Sequence, residues 1–208
     1  MPRRELLRNV RRIVVKIGSS LITENGEISN RKIMRLVRDI SELLRKGYEV
    51  VVVSSGAISA GSGALRKDRR MMSIPEKQAA AAIGQILLMN EYRACFKKEG
   101  YEIGQILLTE DDVKHRRRFL NSRHTMNTLI EMGVVPVVNE NDSVVVKEIK
   151  FGDNDTLSAH VTNIVQADLL ILLSDIDGFY MDLADPFPVE EIYKIDANLF
   201  SRAGGSGS

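Results

Sequence analysis

The sequence predicts an α/β fold, a three-layer αβα sandwich with a mostly parallel central sheet. Short runs of Val, Ile and Leu alternate with longer segments of helical periodicity, which is the pattern of β-α-β units. Small and polar residues follow these runs, so the carboxyl ends of the strands should share one polar edge. A chain of 208 residues can bury one sizeable core, and we expect a single domain.

The first fifty residues predict one β-α-β unit. Residues 13–17 and 50–53 are continuous apolar runs, and residues 30–46 carry apolar side chains at helical spacing. Small residues follow both runs, at 18–20 and 54–57. We therefore expect two parallel strands with a small-residue loop after each, at the same edge of the sheet.

The middle of the chain predicts a loop, a long helix and a third strand. Residues 61–73 are rich in Gly and then basic, which is typical of a loop with solvated charges. A helix should begin near Pro75 and continue toward Phe96, and Gly84 is a candidate for close backbone contact with a neighbour. Residues 103–108 are predicted to form the strand.

A second helical segment, residues 109–132, carries the basic run 114–119. Such runs usually lie on a solvated face. The chain has 29 Lys and Arg residues against 28 Asp and Glu, a formal net charge of +1, so no overall field attracts a polyanion. We expect no nucleic-acid partner.

The most distinctive stretch spans residues 133–161. An apolar strand, 134–138, runs into the polar sequence NEND at 139–142, an extended piece is predicted at 144–147, and a helix should begin near 153–155. Helix capping explains one polar position there but not all of them. Because ligand-binding residues collect where strands end, the two polar clusters predict a binding site.

The end of the chain predicts one more strand, at 168–173, and a polar turn after it. The single cysteine, Cys95, excludes an internal disulfide, and no Cys or His spacing predicts a metal cage. The sequence shows neither a signal peptide nor an apolar run long enough to span a bilayer. We expect a soluble, cytoplasmic protein without a membrane partner.

The residue types at the predicted edge favour phosphoryl transfer. Lys16 lies near the end of an apolar strand, where its ammonium either reaches solvent or faces an anion, and the two alternatives are equally good. Gly-Ser loops and carboxylates near it suit positioning and charge neutralisation of phosphates. A P-loop, a dinucleotide fingerprint, a GxSxG motif and a Cys-His pair are all absent from the sequence.

Six motifs carry a resemblance to a known family. They are VVKIGSS (14–20), SSGAISAG (54–61), KQAAAAIGQ (77–85), VPVVNENDSV (135–144), FGDNDTLSA (151–159) and SDIDGFY (174–180). In this order they resemble the glutamate 5-kinase family of the amino acid kinase superfamily. The resemblance implies an open αβα sandwich, ATP and Mg²⁺ as cofactors, and transfer of the ATP γ-phosphoryl group to the side-chain carboxylate of L-glutamate. That reaction is the first step of proline biosynthesis.

The resemblance also implies roles for individual residues. Ser55, Asp142 and Asn154 would bind glutamate, with the Asp142 carboxylate on the α-amino group. Lys16 would hold the ATP phosphates and stabilise the transferred group, and Asp155 would hold that lysine in place.

On the nucleotide side, the resemblance assigns Ser174 and Asp175 to the turn that contacts ATP. No protein ligand of Mg²⁺ is implied, because nucleotide oxygens and water would hold most of the ion. Relatives continue past this region into a GTGGMxTK-like loop. We therefore expect residues 1–208 to be one amino acid kinase domain that is incomplete in its nucleotide-binding part, without a C-terminal RNA-binding-like domain.

The resemblance also implies a homo-oligomer that proline inhibits as end product. Three alternatives stay open: a superfamily kinase for another acceptor, a non-catalytic amino acid sensor that keeps the glutamate pocket, and a plain α/β binding module.

Overall fold

The computed structural model describes residues 5, 7–24, 26–144, 154–182, 184, 186–197 and 199. The extended piece expected at 144–147 lies outside these residues, apart from Val144, and so does Asp153 at the expected start of the helix. The chain divides into two compact units, residues 1–173 and 174–208. In the second unit the Val189 N–H donates to the Phe179 carbonyl oxygen (2.7 Å).

The first unit is built on a parallel sheet, as the sequence predicted. Its strands are arranged in the order β5-β6-β4-β1-β7, and each neighbouring pair is parallel. A small antiparallel hairpin, β2-β3, stands apart from this sheet and was not predicted. The strands are β1 (Arg12–Ile17), β2 (Thr23–Glu24), β3 (Glu27–Ile28), β4 (Glu49–Ser54), β5 (Ile103–Leu108), β6 (Val135–Glu140) and β7 (Leu169–Leu173).

Helices cover both faces of the sheet, which confirms the three-layer prediction. The helices are α1 (Asn30–Arg45), α2 (Ala57–Ala64), α3 (Ile74–Lys98), α4 (Glu110–Lys114), α5 (Arg116–Glu131) and α6 (Asn154–Val165). Strand residues alternate between two cores, because successive side chains point to opposite faces. Ile13, Val15 and Ile17 pack with α1 and α3, whereas Val14 packs with α5 and α6.

The predicted loop at 61–73 is wrong in its first part, because Ala57–Ala64 is the helix α2. The close contact between α2 and α3 requires a glycine on each helix, Gly61 on α2 and Gly84 on α3. A Cβ on Gly61 would lie 1.8 Å from the Ala80 carbonyl oxygen, and one on Gly84 would lie 1.8 Å from that of Ala57. The prediction of close backbone contact at Gly84 is therefore confirmed.

The segment 109–132 is two helices, not one. His115 has an extended backbone (φ −88°, ψ 113°), which ends α4 and begins α5. The basic run 114–119 is largely exposed, as expected for a solvated face. Strand β6 is longer than predicted and includes Asn139 and Glu140, both buried. Within the described parts of the chain, no helix has the length and apolar character needed to cross a bilayer.

Candidate functional site

The carboxyl ends of β1 and β4 are joined side by side. The Ser55 N–H donates to the Ile17 carbonyl oxygen (3.1 Å), and the Gly18 N–H donates to that of Leu173 (3.2 Å). The two small-residue loops therefore leave the sheet at one edge, as the sequence predicted. Burial of the apolar strands fixes this arrangement, because both strands lie inside the sheet.

Lys16 forms an ion pair at this edge. Its side chain is on the α6 face of β1 and is only 9% exposed, and its Nζ lies 2.5 Å from Asp155 Oδ1 in the first turn of α6. Of the two alternatives for Lys16, the structure excludes the one in which the ammonium reaches out into solvent. A buried ammonium needs a charged partner, and Asp155 supplies it.

The space beside the Lys16 ammonium depends on a glycine. A Cβ on Gly18 would lie 3.8 Å from Lys16 Nζ and 3.4 Å from the Leu173 carbonyl oxygen. Any larger side chain at this position would extend into the space next to the charge. An anionic group could approach Lys16 here, with the glycine allowing close approach to the backbone.

A chain of hydrogen-bonded amides links the two helical layers around the same edge. From α6, Asn154 Nδ2 donates to Ser55 Oγ (2.7 Å), the Ser54 carbonyl oxygen (3.1 Å) and Asn139 Oδ1 (3.1 Å). Asn139 Nδ2 in turn donates to Oε1 of Gln85 on α3 (2.9 Å). This amide chain, Ser55-Asn154-Asn139-Gln85, is defined by tertiary contacts between residues far apart in sequence.

Two atoms of the amide chain have no partner within the described residues. They are Asn154 Oδ1, an acceptor, and Gln85 Nε2, a donor, and both are buried. Buried polar groups in native proteins nearly always form hydrogen bonds, so unpaired ones indicate a place for a ligand or water. Sequence reasoning did not find Gln85. The available signal was a glutamine on the alanine-rich, inward face of α3.

Above the amide chain lies an open cleft of about 240 Å³, which we call the serine cleft. It is lined by Ser19, Ser55, Gly56, Ala57, Ile58, Ser59, Arg69, Asn139, Glu140, Asp142 and Asn154. The start of α2 forms one wall, and Gly56 takes a φ of 106° to begin that helix. The first N–H groups of a helix lack intrahelical partners, so this wall favours a carboxylate or phosphate.

A second cleft, of about 280 Å³, adjoins the first and is called the alanine cleft here. It shares Ala57, Glu140 and Asp142 with the serine cleft and extends along Ala81, Gln85 and Gln105. Asp142, in the turn after β6, thus lies where the two clefts meet. The structure brings the predicted Ser55, Asp142 and Asn154 into one cavity wall.

The two predicted nucleotide-side residues belong to the second unit. Both are exposed, and Ser174 Oγ donates to Asp175 Oδ1 (3.2 Å). Their assignment stays a prediction. Among the described residues, no group of three or more His, Cys, Asp or Glu side chains is placed to hold a metal ion.

The end of β4 is supported from the α3 side by a tyrosine. Tyr92 is fully buried, and its hydroxyl is 2.9 Å from Ser54 Oγ, with which it shares a hydrogen bond. Burial raises the pKa of Tyr92 well above its usual range, so the phenol stays neutral. This contact fixes the residue that precedes Ser55.

Comparison with known proteins identifies the family of the chain. The profile described as the amino acid kinase family matches residues 11–205. Glutamate 5-kinase from Carboxydothermus hydrogenoformans is 51% identical over 99% of this chain and 57% of its own length. The corresponding values for the Clostridium acetobutylicum glutamate 5-kinase are 46%, 99% and 79%. The chain thus spans somewhat more than half the length of several curated relatives.

The fold has a counterpart among solved structures. The crystal structure of UMP kinase from Ureaplasma parvum superposes with a TM-score of 0.54 at 17% sequence identity. The match covers 83% of this chain and 73% of that one. At this identity the likeness concerns the fold alone.

Proposed function

Because this chain belongs to the amino acid kinase family, we propose that it phosphorylates the side-chain carboxylate of L-glutamate with ATP, yielding γ-glutamyl phosphate, the first step of proline biosynthesis. The observation that carries the proposal is the ion pair between the buried Lys16 and Asp155. Asp155 directly follows Asn154, and Asn154 lines the serine cleft. A cation beside an amino-acid-sized cleft is what carboxyl phosphorylation requires.

Glutamate binding is assigned to the serine cleft. Asp142 would accept hydrogen bonds from the α-amino group, while Ser55 Oγ and the N–H groups at the start of α2 would donate to a carboxylate. The unpaired Asn154 Oδ1 supports a role for this residue as well, because a ligand N–H would satisfy it. The hydrogen bonds from Asn154 Nδ2 hold Ser55 in place before substrate arrives.

The reaction needs no general base. A carboxylate of the glutamate type has a pKa of about 4.3, so it is already ionised at neutral pH. One of its oxygens forms a bond to the γ-phosphorus while the bond between that phosphorus and the ADP oxygen breaks. Lys16 would neutralise charge on the transferred group, and Asp155 would keep the ammonium oriented.

Nucleotide contacts are proposed for each unit separately. In the first unit, Lys16 and the glycine turn at Gly18 would contact phosphate. In the second, Ser174 and Asp175 are proposed as nucleotide-binding residues. Mg²⁺ is proposed to be held mainly by phosphate oxygens and water. Bound in this way, Mg²⁺ would supply further charge neutralisation.

We also propose that the protein forms a homo-oligomer and that proline inhibits its activity. Large apolar side chains are exposed on α3, among them Ile83 (38%) and Ile86 (66%), and such side chains are common at subunit contacts. Sedimentation equilibrium would measure the first property, and the effect of proline on the reaction rate would measure the second.

The test of function is ATP-dependent formation of γ-glutamyl hydroxamate from L-glutamate and hydroxylamine, with the full chain and Mg²⁺. A sensor would bind glutamate and form no hydroxamate. A kinase for another acceptor would be active with that acceptor and inactive with glutamate.

Two variants test the division of roles. Lys16→Met should lower kcat by about 10²- to 10³-fold with little change in KM for glutamate, since it removes charge stabilisation in the transition state. Asp142→Asn should mainly raise KM for glutamate. Lys98→Met, at an exposed lysine on α3, is the control and should behave as wild type. Equal losses in both parameters for both variants would contradict the assignment.

A further inference from the structure

The basic segment between α2 and α3 is held in place by its own ion pairs. Lys67 Nζ lies 2.8 Å from Glu76 Oε1, and Arg70 Nη2 lies 3.0 Å from Asp68 Oδ2. The same Asp68 accepts the Arg70 N–H (2.9 Å) at the start of a short 3₁₀ turn. Two of the cations in this segment are therefore already engaged with carboxylates.

Arg69 differs from these neighbours. It lines the serine cleft, and among the described residues lining that cleft it is the one Lys or Arg. No carboxylate in the described part of the chain lies within ion-pair distance of its guanidinium. Asp68 forms its hydrogen bonds and ion pair with Arg70, and the charge of Arg69 acts on it only as a weaker, longer-range attraction.

The charge balance of the cleft calls for such a cation. Glu140 and Asp142 place two carboxylates in its lining. An α-amino acid presents an ammonium, which suits Asp142, and an α-carboxylate, which needs donors. Hydroxyl and backbone N–H donors are neutral, whereas a guanidinium offers charge and two parallel hydrogen bonds.

We propose that Arg69 binds the α-carboxylate of the amino acid substrate and thereby selects for substrates with a free α-carboxylate. This inference rests on the proposed function, since it assigns a residue to the same cleft. Arg69 is solvent-exposed, so water and salt weaken its attraction for an anion. We expect an effect of about tenfold on affinity, below that of a buried charged pair.

The experiment removes the charge from the protein and from the ligand in turn. Calorimetry measures the Kd of L-glutamate and of its α-carboxamide analogue, in which the side-chain carboxylate is intact, for wild type and Arg69→Gln. Wild type should bind glutamate about tenfold more tightly than the amide. In Arg69→Gln the Kd of glutamate should rise about tenfold and that of the amide should hardly change, so the preference disappears.

Two further variants serve as controls for Arg69→Gln. Arg66→Gln removes the same charge three residues away, at an exposed position that does not line either cleft, and should keep the wild-type preference. Arg69→Lys keeps the charge without the planar fork and should recover part of the preference. Thermal unfolding should be the same for all three variants, because both arginines are exposed.

The outcomes separate the two proposals. If wild type binds glutamate and Arg69→Gln keeps the tenfold preference over the amide, the role of Arg69 is refuted and the proposed function stands. If wild type binds neither ligand and forms no hydroxamate, the proposed function fails and the inference fails with it. If Arg66→Gln loses as much of the preference as Arg69→Gln, the preference depends on the overall positive charge of the segment. That result would refute the inference.

Discussion

Gly84→Ala tests the contact on which the wall of the serine cleft depends. Gly84 lies on the buried side of α3, against the first turns of α2. A Cβ at this position would be 1.8 Å from the Ala57 carbonyl oxygen and 2.5 Å from the Gly61 nitrogen. Both of these atoms belong to the backbone of α2, so no side-chain rotation can relieve the overlap.

The magnitude follows from this geometry. The two helices would have to separate by roughly 1 Å, and overpacking of a core typically costs about 1–3 kcal/mol. We take the upper part of that range because two rigid backbones are in contact. Ala is about 1 kcal/mol more favourable than Gly in the interior of a helix, and this difference offsets part of the cost. The expected net loss in the free energy of unfolding is therefore about 2 kcal/mol.

Urea denaturation followed by circular dichroism measures this loss, and calorimetry of glutamate binding measures its effect on the cleft. Affinity should fall, because the start of α2 would move with the helix. Ala79→Gly is the matched control. It exchanges the same two residue types in the opposite direction, at an exposed position of α3. Its expected cost of about 1 kcal/mol therefore measures the difference in helix propensity between Ala and Gly alone.

The reasoning is refuted if Gly84→Ala unfolds at the same or a higher urea concentration than wild type. In that case α2 and α3 would have room for a methyl group between them. Unchanged glutamate affinity together with a loss of about 2 kcal/mol would show that the helix contact stabilises the fold without shaping the cleft.

Two further predictions concern the supports of the site. Tyr92→Phe should lower the free energy of unfolding by about 1 kcal/mol in urea denaturation, because Ser54 Oγ loses its 2.9 Å partner in the core; a neutral effect would mean that the hydroxyl pair is not stabilising. Hydrogen bonds from Lys67 and from the backbone and side chain of Ser73 lower the pKa of Glu76 from 4.5 to about 2. The stability that this carboxylate contributes is therefore fully present above about pH 4.5 and is lost as pH falls toward 2. Glu76→Gln should lower the Tm at pH 7 and have a much smaller effect near pH 2, and a Tm difference that is constant with pH would contradict this.

Much of the fold was predictable because its signals are local. Continuous apolar runs and helical periodicity located β1, α1, β4, α3 and β5, since burial between two helical layers requires those patterns. The helix α2 was missed because Gly, Ser and Ala are typical of loops. Gly61 is needed because α2 lies in close contact with α3, and a contact between distant segments leaves no local pattern.

The site was predictable in part for the same reason. Lys16, Ser55 and Asp142 stand next to strand ends, where parallel strands bring side chains to one edge, and Asn154 begins the helix α6. Gln85 and Arg69 have no such position. Gln85 is buried on a long helix. Arg69 lies in a basic segment, and from the sequence all of its charges are expected to be exposed to solvent, although Arg69 lines the serine cleft.

The order of residues by itself determined the α/β class, the parallel sheet and the family to which the chain belongs, because periodicity and short motifs are properties of contiguous residues. Only the tertiary structure decided which polar groups meet: that Lys16 pairs with Asp155, that Asn154 connects Ser55 to Asn139, and that Arg69 rather than its neighbours lines the serine cleft. The physical reason is that hydrogen bonds and ion pairs form between atoms within a few ångströms, and folding alone brings such atoms together from distant parts of the chain.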